Sequence, residues 1–361
     1  MSLNIKSSGF TIVEMMIAMV ISLFLLGGVA QIFLASKQSY TTGEEASRMQ
    51  ENGRFAMDIM SRDIRMAGFL PCRIQDGEVA NSVDSTDDIY NFFDAAIDAD
   101  EYGVSAFAGY PAVGGAATER VASSDAIRIL RGGSEPSCVS SHVPASATIH
   151  LCGPSSDFEK GDILLVCDAE KAAMFQLSGP ASAPPHSTLV HNTGAAGITP
   201  GNCSKDLGKP TTSGDCSTNT LVQFAMDAQV VKFTSVSYYI GVSTSGTTTS
   251  LYRIILDQAP VELIEDIETM QILYGEDTDA DGIANQYVTG DSIADSNNVV
   301  AIRIGLLVKS PSEIAEEDND TTYDVAGTPV ADTGTAVTHG GDKRLRNVYT
   351  STIKVRNRGI L

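Results

Sequence analysis

The signatures that usually mark an enzyme are missing from this chain of 361 residues. There is no GxSxG, no HExxH, no P-loop and no GxGxxG following a strand. Nucleophilic hydrolysis, zinc peptidase chemistry and nucleotide handling therefore have no residues to rest on, and no catalytic residue is expected. His142, His150, His186, His191 and His339 are scattered without a metal-ligand spacing, and no CxxC is present. Cations are scarce, with 24 Lys and Arg against 45 Asp and Glu, for a formal net charge of −21. A grip on phosphate backbones needs clustered Lys and Arg, so no direct nucleic-acid partner is expected, and the acid excess is read as solubility outside the cell. No internal repeat of useful length is visible.

What is present starts near the amino terminus. Residues 9–34, GFTIVEMMIAMVISLFLLGGVAQIFL, form an apolar run with a single charge, Glu14. As a helix, residues 10–34 would span roughly 37 Å against a hydrocarbon core of about 30 Å. The leader ahead of it carries Lys6 and no acid, while Glu44 and Glu45 follow the run, an asymmetry that keeps the leader in the cytoplasm and exports the rest. A carboxylate within a membrane helix costs about 2.5 to 3.5 kcal/mol on insertion scales and should have a partner. Cutting between Gly9 and Phe10 would supply one. Glu14 would become the fifth residue, about 6 Å along the helix from a new α-amino group, on its own chain or a neighbour's. An ordinary secretory signal cut after Gly28-Val29-Ala30, or a plain signal anchor, would share the apolar run, but Glu14 serves neither.

Ser8-Gly9-Phe10-Thr11-Ile12-Val13-Glu14 resembles the processing site of type IV prepilins. The resemblance implies cleavage after Gly9 by a prepilin peptidase, N-methylation of Phe10, and pairing of Glu14 with an adjacent subunit's N-terminus during assembly. Ile64-Arg65-Met66-Ala67-Gly68-Phe69 followed by Cys72 resembles PilW-type minor pilins, as does a pair of strands at 299–308 and 347–356 flanking Lys343-Arg344-Leu345-Arg346. That family implies a minor pilin of the complex that primes assembly and occupies the fibre tip. Its partners would be other minor and major pilins through the helix, the peptidase, the inner membrane before assembly, and a tip adhesin. A J-type pseudopilin of type II secretion shares the motif, and a membrane-tethered calcium-dependent adhesin that never polymerises is the reading from another class.

The expected fold is pilin-like α+β. A leader of residues 1–9 precedes a membrane and assembly helix of 10–34 and its amphipathic continuation over 35–68. An exported β-rich head of 69–361 follows, in two lobes of about 69–220 and 221–361. Met49, Ala56, Met60, Ile64 and Ala67 recur at helical spacing as one apolar stripe, while Arg48, Glu51, Arg54, Arg62 and Arg65 lie off it. Gly68 is a natural residue for the helix end, and Gly27-Gly28 a place of weakening. Alternating or apolar runs predict strands at 126–131, 148–151, 163–166, 230–233, 236–240, 250–255, 261–274, 299–308 and 347–355. Residues 76–122, 178–215 and 311–338 read as irregular or loop.

All six cysteines, Cys72, Cys138, Cys152, Cys167, Cys203 and Cys216, lie beyond the span, which favours disulfides in an exported chain. Pairing neighbours would join Cys72 to Cys138, Cys152 to Cys167, and Cys203 to Cys216 across a short Gly- and Ser-rich loop. One ligand-like constellation remains. Asp277, Asp279 and Asp281, with Gly282 sixth, the Ile283 carbonyl and Asn285, repeat the first part of a calcium loop, so calcium is the one cofactor expected. The twelfth position holds Val288 where such a loop has a bidentate Glu, leaving Asp291, Glu276 or another residue to complete the set. The plain alternative is an acidic hairpin turn.

Overall fold

A computed structural model of the chain describes residues 11–69, 71–72, 79–84, 97–100, 113–133, 135–211, 215–256, 258–294 and 298–356. The leader, with Gly9 and Phe10, lies outside the described residues. One helix, Ile12–Arg65, runs unbroken for 54 residues, through Gly27 and Gly28. At about 1.5 Å per residue it is roughly 80 Å long. It stops because Gly68 takes a left-handed φ of 66°, which glycine adopts at no steric cost. The exit is then stitched to the head, with Gly68 N–H donating to Leu130 O at 2.8 Å and Gly132 N–H to Phe69 O at 2.7 Å.

The upper half of the helix packs on an antiparallel four-stranded sheet in the order Gln286–Val288, Ile267–Glu276, Val299–Glu313, Arg344–Lys354. Met49, Ala56, Met60, Ile64 and Ala67 are buried in one core with Ile272, Ile302, Ile304, Leu306 and Ile353, as their spacing predicts. Glu45 and Gly53 continue the same buried line, and neither is apolar enough to be found by periodicity. The helix binds by its apolar stripe and leaves Arg48 and Arg62 outside, paired at i, i+4 with Glu44 and Asp58.

Farther along the chain's surface, an eleven-stranded sheet is organised by one long strand, Gln229–Val242. Two separate strands were expected here, at 230–233 and 236–240. Its first residues pair with Ile163–Cys167 and Ser137–Val143, and its later ones with Ala126–Gly132 and Thr249–Ile255. Ala126–Gly132, early in the chain, thus contributes Ile127 and Ile129 to the helix-side core, while Val139, Ile149, Leu164, Phe175 and Phe224 form an outer core. Strands from before and after residue 220 thus pair in one sheet.

The strand expected over 261–274 is broken at Asp266, whose φ of 66° turns the chain from Val261–Glu265 in the large sheet to Ile267–Glu276 in the small one. Aspartate tolerates this conformation better than most residues, and Thr248 Oγ1 holds its carboxylate at 2.8 Å. All three segments expected as irregular or loop contain strands, Val79–Asn81 and Ile97–Asp100 lying inside 76–122. His186–Val190 pairs with Thr148–Ser155 inside 178–215. Tyr323–Val325, Thr328–Ala331 and Val337–Thr338 make a small sheet inside 311–338, because Val325, Val330 and Val337 cover Leu307 on the face of the four-stranded sheet away from the helix. Each is too short for its alternation to stand out from polar surroundings.

The disulfides join Cys72 to Cys167, Cys138 to Cys152 and Cys203 to Cys216. Two of the neighbour pairings are thereby corrected. Ser137–Val143 and Thr148–Ser155 form a hairpin in which Val139 faces Leu151, so Cys138 and Cys152 stand across from each other. Cys72, just past the helix, is left to reach Cys167 at the end of a fully buried strand, fastening the helix exit to the large sheet.

Candidate functional site

The first turn of the helix is closed by a reciprocal pair. Thr11 is the N-cap; its backbone N–H and its hydroxyl both donate to Glu14 Oε2 at 2.9 Å, and Glu14 N–H donates to Thr11 Oγ1 at 3.3 Å. Glu14 is the third helical residue, where a carboxylate meets unpaired backbone N–H groups and the positive end of the helix. The partner that sequence reasoning sought for Glu14 is thus supplied within the isolated chain by Thr11, immediately after the expected cut. Nothing there prevents a second, cationic partner, since the carboxylate remains exposed.

Beyond this turn the helix is bare. Every Val, Ile, Leu, Met and Phe from Ile12 to Leu34 is between 51% and 80% exposed. This run is long and apolar enough to cross a membrane. An apolar cylinder of this length cannot stand in water. It belongs in lipid or in a bundle with other helices.

Higher up, Asp63 fixes the helix to the head. It accepts from Tyr238 Oη at 2.6 Å and pairs with Arg131 at 3.2 Å. Burial and the adjacent carboxylate push the Tyr238 hydroxyl far above its ordinary value. Sequence reasoning missed Asp63, because a lone acid in a charged helix face carries no signal until its strand partners are placed.

The acidic loop follows Ile267–Glu276 as a hairpin, with Gly275 opposite Tyr287. Ligand oxygens of Asp277, Asp279 and Asp281 lie within 4.8 Å of one another. Asp277 is buried and accepts from the N–H groups of Asp281 and Gly282, which curls the loop inward. The remaining expected donors are engaged elsewhere. Asn285 Oδ1 accepts from Thr278 N–H at 2.7 Å, Glu276 accepts from Gln286 and from Ala294 N–H, and Asp291 from Thr289. Neither Glu276 nor Asp291 completes the set in this arrangement.

A capped helix, bare along its apolar lower half and packed by its upper half on an antiparallel sheet, is the architecture expected of a pilin-like chain. The family model for the prokaryotic N-terminal methylation motif matches residues 4–30, and that for type IV pilus-assembly protein W matches residues 237–357. The chain thus carries a prepilin-type methylation motif at one end and a PilW-type domain toward the other, the combination that supports a type IV minor pilin. The second match covers the four-stranded sheet and the end of the large one, and residues 31–236 lie outside both. Among solved structures, a type IV-like pilin from Thermus thermophilus is 16% identical, over 35% of this chain and 66% of that one, with a TM-score of 0.21. The chain therefore spans just under two-thirds of that pilin. No curated protein matches.

Proposed function

We propose that this chain is a minor pilin of the complex that primes type IV pilus assembly and remains at the fibre tip. The observation that carries this is Glu14, held in the first turn of a helix whose apolar run from Ile12 to Leu34 is uncovered. In the membrane, the reciprocal bonds with Thr11 keep the carboxylate compact and partly satisfied. On extraction, the same carboxylate is presented at the helix end, where a neighbour's α-amino group exchanges solvent or lipid for an ion pair. Cleavage between Gly9 and Phe10 and methylation of Phe10 produce that kind of terminus on each subunit. The leader stays in the cytoplasm and the head is exported, consistent with Lys6 before the span and the acids after it. The acidic loop at Asp277, Asp279 and Asp281 binds calcium at modest affinity, with water and backbone carbonyls filling the positions that Glu276 and Asp291 leave open.

Mass spectrometry of the native N-terminus, combined with Glu14→Ala, tests the role. The expected result is a chain beginning at methylated Phe10 in both forms, with assembly lost only in the variant. A native chain that keeps its first nine residues, or normal piliation with Glu14→Ala, would end this reading.

A further inference from the structure

In the outer part of the head, two histidines meet in the core. His142, on Ser137–Val143, and His191, just past His186–Val190, are 1% and 0% exposed, and their Nε2 atoms are 3.2 Å apart. Two rings can share a hydrogen bond there only if one Nε2 carries a proton and the other does not. The outer partner decides which. Phe224 N–H donates to His142 Nδ1 at 3.2 Å, so that nitrogen is the acceptor, and the His142 proton is on Nε2, pointing at His191 Nε2. The arrangement requires both rings neutral. Burial, and then Lys171, pushes His142 down to about 4; burial, His142 and Lys205 push His191 down to about 3, against a smaller upward pull from the Lys205 backbone beside it.

The stretch fastened by this pair has neither helix nor sheet to hold it. Residues 220–225 are without regular structure and 226–227 form a turn, yet Phe224 is 2% exposed in the outer core. Its ends are held by backbone bonds, Thr220 with Gly208 and Lys209 and Val139 N–H to Ala228 O, and between them the fastenings end on His142 and Asp168. Phe224 N–H goes to His142 Nδ1, the Gln223 side chain to His142 O at 3.0 Å, and Ala225 N–H to Asp168 Oδ2 at 3.4 Å. The stretch is bounded on one side by the Cys203–Cys216 disulfide and on the other by Gln229–Val242, while Cys138–Cys152 braces the strand that carries His142. Motion between those bounds need not disturb the sheet against the helix.

We propose that His142 and His191 form an acid-released latch, which holds residues 221–227 down at neutral pH and frees them in acid, uncovering the apolar pocket of Phe224, Phe175 and Leu207. Protonation of His142 Nδ1 removes the acceptor for Phe224 N–H, and protonation of His191 Nε2 sets two N–H groups against each other. The charged groups around the pair do not stabilise a cation. Lys171 lies 5.6 Å over the Phe224 ring and Lys205 faces His191. Asp168 is 3.7 Å from Lys171 and already accepts from the N–H groups of Glu170, Lys171 and Ala225. His150, on the neighbouring strand, is bonded to Thr188. Phe175 and Phe224 close the remaining sides with apolar rings.

The sign follows from the depressed values. The closed form binds fewer protons than the open one below about pH 6.5, so opening takes up protons. Its equilibrium constant rises about tenfold per pH unit for each ring that becomes charged. Hydrogen exchange of the full chain in detergent micelles, corrected for the intrinsic pH dependence and read by mass spectrometry between pH 7 and 4, is the test. Residues 221–227 should lose at least tenfold protection over that range while 267–276 and 299–308 keep theirs. In a double variant, His142→Asn with His191→Gln, amide oxygens replace the ring acceptors without titrating, and the segment should stay protected at pH 4. Uniform loss of protection across the head in the wild-type chain, or an unchanged acid response in a folded double variant, would overturn the latch. The wild-type comparison between segments decides the matter by itself if the variant does not fold.

Discussion

The ring of Tyr349 occupies the space that a side chain at Gly53 would need. A Cβ built on Gly53 would come within 2.5 Å of Tyr349 Cδ2, 2.6 Å of Cε2 and 2.7 Å of Cγ. Glycine in mid-helix costs about 1 kcal/mol relative to alanine, so an otherwise unfavourable residue stands where the edge strand Arg344–Lys354 approaches the helix. Gly53→Ala should therefore destabilise the head by about 1 to 2 kcal/mol, overpacking outweighing the gain in propensity. Urea unfolding followed by near-ultraviolet circular dichroism would measure it. In a Tyr349→Ala background the same change should be neutral or stabilising; a loss in both backgrounds would show that the ring is not the cause.

Asp63 joins helix and sheet by serving Tyr238 and Arg131 together. Asp63→Ala leaves a buried hydroxyl and a partly buried guanidinium without it, at a cost of about 3 kcal/mol. Asp63→Asn, which can still accept from Tyr238, should cost less. Ultraviolet titration offers a second readout. Tyr238 should resist ionisation into strong alkali in the native head and should titrate at lower pH in Asp63→Asn, because the carboxylate's share of the upward push is gone while burial remains.

At Glu262, burial works to raise the carboxyl pKa, but donors from Ser250, Thr244 and Ser243 overcome it and hold the group at about 2. Ser250 Oγ lies 2.6 Å away and Thr244 Oγ1 2.5 Å. A carboxylate whose folded value is below its unfolded one stabilises the fold above about pH 4.5, and that contribution is lost as pH falls toward 2. Glu262→Gln should lower stability at pH 7 and flatten the decline between about pH 4.5 and 2. A melting profile with an unchanged acid limb would show that the donors do not act through this group.

The calcium binding proposed for the loop rests on three carboxylates gathered within 4.8 Å. Calorimetry should give one site of modest affinity, lost in Asp279→Ala and kept in Asp291→Ala, since Asp291 is engaged with Thr289 and Ser292. Heat that is unchanged by Asp279→Ala would remove the loop from consideration.

Much of this molecule follows from local pattern. The helix, its buried stripe through Ile64 and its stop at Gly68 need only spacing and glycine's freedom, and the strand at Val299 announces itself by its apolar run. The N-terminal motif is equally local, since Gly9, Phe10 and Glu14 lie within six positions of the sequence.

Linear order alone determined the apolar run, the acid inside it and the N-terminal motif they form, because each depends on residues a few positions apart. Three-dimensional packing decided the rest. Cys138 met Cys152, and so left Cys72 for Cys167, only once a hairpin register existed. His142 and His191, separated by 49 positions, became a pair only when their strands entered one sheet. Gly53 acquired its meaning from a ring almost three hundred residues later, since burial and hydrogen-bond satisfaction are properties of neighbours in space, which short-range periodicity does not encode.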